Sequence, residues 1–61
     1  MSHGPRCVIV IPAFNEASTV GAVVAALKEA VDYPIVVVDD ASTDNTATEA
    51  KKAGARVLSL S

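Results

Sequence analysis

The sequence predicts an α/β fold, three parallel strands joined by two helices in the order β-α-β-α-β. Three observations predict it. Two unbroken β-branched runs, Val8-Ile9-Val10-Ile11 and Ile35-Val36-Val37-Val38, read as strands covered on both faces, because neither alternates with polar residues. Between them Val20, Val23, Val24, Leu27 and Val31 fall on one stripe of an α-helix. The connections are too long for hairpins and carry helical patterns, which calls for parallel strands and right-handed crossovers. Sequential winding gives strand order 3-2-1, half of a doubly wound sheet.

Each element has its own local reason. Residues 1–5, "MSHGP", form a flexible N-terminal arm, with His3 exposed to solvent. The first strand covers residues 6–11 and stops at Pro12, which cannot donate to a ladder. Cys7 is a small apolar filler at its start. Asn15 or Ser18 caps the first helix, and Asp32-Tyr33-Pro34 ends it, with Tyr33 in a loop away from the site. Residues 35–38 are the second strand, closed by Asp39-Asp40. Residues 41–45, "ASTDN", are turn and cap chemistry, with Asp44 the N-cap of a second helix over residues 46–53. Ser42, Thr43 and Thr46 are read as turn and capping residues too. The apolar face of the second helix is only Ala47, Ala50 and Ala53, Lys51 and Lys52 form a solvated face, and Gly54 suits the C′ position. Arg56–Leu60 is a third, weaker strand.

With 61 residues the chain holds one small domain. Such a domain buries only about 60% of its unfolded surface, so its stability alone is marginal. Hydrophobic residues make up 51%, nearly all aliphatic, which suits a sheet under Ala-rich helices and excludes a disordered class. Five basic and seven acidic residues, with no long basic run, give no forecast of nucleic-acid binding. Cys7 is the single cysteine, so neither an internal disulfide nor a cysteine zinc site is available. No segment reaches the ~18 apolar residues of a membrane span, and no signal-peptide pattern follows Met1.

Open α/β sheets bind ligands beyond the carboxyl ends of their strands. Asn15-Glu16 and Asp39-Asp40 both lie there, on neighbouring strands roughly 5 Å apart, so the two acidic endings line one crevice. Carboxylates there accept hydrogen bonds from N–H groups or sugar hydroxyls, or hold a metal. The chain has neither a Gly-x-Gly-x-x-Gly nor a Gly-x-x-x-x-Gly-Lys-Ser/Thr phosphate cradle. A nucleotide could still bind, base and ribose first, with its diphosphate held through a divalent metal.

Residues 10–16, "VIPAFNE", followed by a helix and then residues 36–46, "VVVDDASTDNT", resemble the start of a family 2 glycosyltransferase. The patterns are a hydrophobic-Ile-Pro-Ala-aromatic-Asn-Glu segment and a Val-Val-Asp-Asp-x-Ser-x-Asp-x-Thr segment, and the relatives suggested are the dolichol-phosphate mannose synthase-like enzymes. The resemblance implies a GT-A fold, a Rossmann-like sheet that binds a nucleotide-sugar donor. It implies that Pro12, Ala13 and Phe14 contact the nucleotide and that Glu16 reaches the ribose or base side. Val38 and Asp40 would flank the base, with Asp40 accepting from a ring N–H. Asp39 would support that arrangement or touch the nucleoside, and Asn15 would order the turn. It also implies Mg²⁺ or Mn²⁺ bound at a later Asp-x-Asp motif, and an acidic base for the acceptor hydroxyl later still.

The chain has no Asp-x-Asp, since Asp39 and Asp40 are adjacent and Asp44 lies further on. Displacement at a sugar C1 needs a positioned base and a stabilised diphosphate leaving group. Residues 6–61 are therefore expected to be the incomplete N-terminal, donor-binding portion of a glycosyltransferase domain, without turnover alone, its catalytic residues and metal ligands lying downstream. The donor is a nucleotide-diphosphate sugar and the acceptor is open. The expected location is the cytoplasm or the cytoplasmic face of a membrane, since a downstream membrane segment would fit the family.

Two rivals belong to other classes. A receiver-type signalling domain also carries an acidic pair after a strand, but the pair here follows the second strand, and the third ends in Ser-Leu-Ser without a phosphoacceptor Asp. A small non-catalytic module could instead oligomerise through an exposed edge strand, the first being the candidate.

Overall fold

A computed structural model describes residues 7–60. The expected arm (residues 1–5), His3 within it and the expected strand start at Arg6 lie outside them. The elements are β1 (Ile9–Ala13), α1 (Val20–Ala30), β2 (Ile35–Asp40), α2 (Thr46–Lys52) and β3 (Arg56–Leu60). All strands are parallel, in the order β1-β2-β3, which is the expected 3-2-1 sheet read from its other edge.

Pro12 does not end β1, which runs on to Ala13. The Ile9 N–H donates towards the second strand, to Pro34 O at 2.9 Å. The amides of odd-numbered residues in β1 therefore face β2, and position 12 faces the open edge, where a missing N–H costs nothing. Likewise β2 includes Asp39 and Asp40, which the sequence reading placed after the strand.

The second difference concerns the faces. The unbroken apolar runs suggested cover on both sides. Among the described residues both helices cover one face only, because right-handed crossovers that add strands in one direction put both on the same side. Val24, Val37 and Ala50 are fully buried there, with Val20, Ile35, Ala13 and Ala55 around them. Alternation sends Val10, Val36, Val38, Leu58 and Leu60 to the opposite face, where Val10 and Leu58 are each 57% exposed. Cys7, expected to pack at the strand start, is exposed just before β1.

The helices keep their expected stripes with adjusted ends. Val20 and Val24 anchor α1, Leu27 and Val31 are half-buried, and Val23 is exposed. In α2, Ala50 is buried and Ala47 and Ala53 are half-buried, while Lys51 and Lys52 face solvent. The C-terminal end of α2 is a Schellman motif: the Gly54 N–H donates to Lys51 O and the Ala55 N–H to Ala50 O, both at 3.0 Å, with Gly54 at φ 105°. Burial of Ala50 and Ala55 supplies the apolar contact that accompanies this motif.

Candidate functional site

The strand ends deliver two loops to one edge, residues 14–19 after β1 and residues 41–45 after β2. Register pairs Pro12 with Val38 and Ala13 with Asp39. Alternation then separates the two aspartates, which a simple reading treats as a like-charge pair. Asp39 turns to the helix-covered face, is 6% exposed, and accepts from the Ser42 N–H at 3.2 Å. Asp40 turns to the open face and is exposed.

Of the residues expected at the site, Pro12, Val38 and Asp40 share the open face, and Phe14, 57% exposed, follows directly after β1. This is an apolar floor beside one free carboxylate. The Glu16 side chain is exposed and folds back, its Oε1 accepting from the Phe14 N–H at 3.2 Å. Ala13 and Asp39 lie on the covered face, so a ligand over the open face meets their backbone and not their side chains.

Neither Asn15 nor Ser18 caps α1. Its N-cap is Thr19, without a side-chain cap hydrogen bond. The early amides of this turn are satisfied from the other loop instead. The Glu16 N–H donates to Thr46 Oγ1 at 2.8 Å, and the Ala17 N–H to Asp44 Oδ2 at 3.2 Å. Asn15, at φ 51°, bridges in both directions: its N–H donates to Ser42 Oγ at 2.8 Å, and its Oδ1 accepts from the Thr43 N–H at 2.8 Å. Asp44 is not the N-cap of α2 as expected, since that position is Asn45, which makes no side-chain cap bond; from one residue further out its Oδ1 accepts from the Thr46 N–H at 3.0 Å and from the Thr46 hydroxyl. The Thr46 hydroxyl, then the amides of Ala17 and Thr46, hold the Asp44 carboxyl below its ordinary pKa against the opposing effect of desolvation.

Local reading assigned Ser42, Asp44 and Thr46 to turn and capping roles and missed this cross-loop use. The available signal was their regular spacing in Ser-x-Asp-x-Thr, which the family pattern shares.

Among the described residues no group of three His, Cys, Asp or Glu side chains is placed to hold a metal ion. The described site does not fit a metal centre. No described helix is long and apolar enough to cross a membrane. A surface concavity lined by Lys28, Val31, Asp32, Tyr33 and Pro34 lies before the start of β2, at the opposite end of the sheet from these loops.

Comparisons with known proteins meet this geometry. Residues 8–61 match the family described as Glycosyl transferase family 2. A glucosyl-3-phosphoglycerate synthase from Mycolicibacterium paratuberculosis (strain ATCC BAA-968 / K-10) is 41% identical over 54 residues, covering 84% of this chain and 16% of that protein. The crystal structure of a mycobacterial protein superposes with a TM-score of 0.79 at 40% identity, covering 85% of this chain and 18% of that one. Glucosyl-3-phosphoglycerate synthase from Mycobacterium tuberculosis, crystallised with Mn²⁺, uridine-diphosphate-glucose and glycerol 3-phosphate, gives a TM-score of 0.77 at 38% identity, covering 85% and 20%. The chain thus spans a fifth or less of the length of these relatives. The three-stranded parallel sheet is that of GT-A glycosyltransferases.

Proposed function

The chain belongs to glycosyl transferase family 2, and from that premise we propose that its strand ends bind the nucleotide of a nucleotide-sugar donor. The observation that carries this reading is the open-face cluster of Pro12, Val38 and exposed Asp40, with Phe14 beside it. An apolar floor suits a base ring, and an exposed carboxylate at its rim accepts from a ring N–H. Glu16 and the backbone of Ala13 and Asp39 complete the contact set, with Asp39 acting through the Ser42 amide.

Within the family, the matched relatives favour a glucosyl-3-phosphoglycerate synthase-like protein over the dolichol-phosphate mannose synthase-like enzymes that the motif wording suggested. The donor is then a uridine-diphosphate sugar and the acceptor a small phosphorylated hydroxyl compound. The divalent metal is proposed for the full-length enzyme, because glucosyl-3-phosphoglycerate synthase from Mycobacterium tuberculosis is crystallised with Mg²⁺ or Mn²⁺ and uridine-diphosphate, and the catalytic base and turnover are proposed with it. Its place is the cytoplasm or the cytoplasmic face of a membrane.

Titration of the isotopically labelled chain with uridine 5′-diphosphate tests the reading. Amide shifts confined to residues 13–16 and 38–40 are expected. Shifts absent at millimolar nucleotide, or centred on the Tyr33 concavity, would refute it.

A second reading is favoured by the bare face of the sheet, where Val10, Leu58 and Leu60 are each more than half exposed. Isolated chains would pair with a second copy through this face or through the edge of β1. A sedimentation mass that rises with concentration is expected, and a monomer over a hundredfold range (about 1 to 100 μM) would end this reading.

A further inference from the structure

We propose that Thr46 and Asp44 are positioning residues for the donor nucleotide, acting across the crevice on the backbone that presents Glu16. The inference rests on the donor-binding reading above and adds residues to which that reading gives no role.

Five hydrogen bonds join the loop after β1 to the segment that opens α2, and each uses a side chain. Asn15 N–H meets Ser42 Oγ, Glu16 N–H meets Thr46 Oγ1, and Ala17 N–H meets Asp44 Oδ2. The Thr43 N–H and hydroxyl both meet Asn15 Oδ1. Among the described residues no backbone–backbone bond joins residues 14–18 to residues 41–46. Strand pairing ends at Ala13–Asp39 on this side, so side chains alone set how the two loops stand to one another.

Thr46 is the centre of the arrangement. Its side chain has no exposed surface, its hydroxyl oxygen accepts from Glu16, and its hydroxyl hydrogen is donated to Asp44. The hydroxyl is thus both acceptor and donor, in a relay from the Glu16 amide to a carboxylate. Ionised Asp44 accepts at both oxygens, which orients that hydroxyl. The loops also hold two non-glycine residues at positive φ, Asn15 at 51° and Ala41 at 57°, one beside Glu16 and one beside Asp40. Backbone of this kind persists when its surroundings over-determine it, and at Asn15 the cross-loop bonds supply those surroundings.

The test compares Thr46→Val, Thr46→Ser and Asp44→Asn with the unaltered 61-residue chain. Valine keeps the shape and removes both bonds, serine keeps both bonds, and asparagine sets an N–H₂ group against the Ala17 amide or the Thr46 donors. Two quantities are read in folded protein: affinity for uridine 5′-diphosphate, and hydrogen exchange at the Glu16 and Ala17 amides. Thr46→Val and Asp44→Asn are expected to bind about tenfold more weakly and to exchange faster at those amides, with Thr46→Ser close to the unaltered chain. A folded Thr46→Val that binds with unaltered affinity overturns the proposal. Should Thr46→Val not fold, Asp44→Asn, which disturbs the partner of the Thr46 hydroxyl and the acceptor of the Ala17 amide, takes its place, with the same outcomes. If the unaltered chain itself fails to bind, the donor reading falls and the positioning role falls with it. That result differs from a failure of the positioning role alone, in which the unaltered chain still binds.

Discussion

The amide of Glu16 is held by the hydroxyl of Thr46, thirty positions later, at 2.8 Å. One residue opens the turn before α1 and the other begins α2, so the turn that leads into the first helix is held by the start of the second. A part-buried backbone donor needs an acceptor, and for the Glu16 amide that acceptor arrives only on completion of the β2–α2 corner. Loop geometry and tertiary packing are therefore one event at this edge.

The adjacent aspartates are expected to separate nucleotide binding from stability. Asp40→Ala is expected to leave stability within about 0.5 kcal/mol, since the side chain is exposed, while weakening uridine 5′-diphosphate binding about tenfold. Asp39→Ala is expected to lose about 1–2 kcal/mol, because the Ser42 amide loses its acceptor. Urea unfolding and nucleotide titration on both variants check the contrast, and equal stability losses would contradict it.

Gly54 closes the Schellman motif at φ 105°, where a Cβ is strained. A Cβ there would also lie 2.9 Å from Lys28 Cε, the flexible end of a side chain that can move aside. Gly54→Ala is therefore expected to cost about 1–2 kcal/mol, mostly from backbone conformation. Truncating Lys28 in the same chain should recover little of that cost in chemical denaturation.

Asp44 gives the cross-loop bonds a pH dependence. Its folded pKa is depressed, so its stabilising contribution is fully present above the unfolded carboxyl pKa and is lost as pH falls through the lower folded value. The stability gap between the unaltered chain and Asp44→Asn should hold from neutral pH down to about pH 4 and close below it. Thermal melting across pH 2–7 reads the gap, and a gap independent of pH would contradict the assignment of the carboxylate.

Leu58 stands on the bare face, away from every cross-loop bond. Leu58→Lys is expected to reduce concentration-dependent association in sedimentation and to change stability by less than about 0.5 kcal/mol. Unchanged association in Leu58→Lys would move the contact to the edge of β1.

Much of this fold was legible from local pattern. The β-branched runs, the stripe from Val20 to Val31 and Gly54 at C′ each report a preference of their own short segment, and β3 has the expected bounds, Arg56–Leu60. Strand ends were less legible. Pro12 lacks a donor wherever it sits, but only its place on an edge strand, facing outward, makes that harmless. Cross-loop bonding was the least legible, because Ser42, Asp44 and Thr46 look like ordinary turn and cap residues until Asn15, Glu16 and Ala17 are brought against them.

By itself, the sequence determined the kinds of element, their order, and the edge at which acidic and polar residues collect, since these follow from period and turn chemistry within about ten residues. Tertiary structure alone decided which face of the sheet is covered, and therefore that Asp39 is enclosed while Asp40 meets solvent. A run such as Ile35-Val36-Val37-Val38 is alike on both faces. The choice between them comes from the hand of two crossovers wound in one direction, a property of the assembled sheet and of no strand within it.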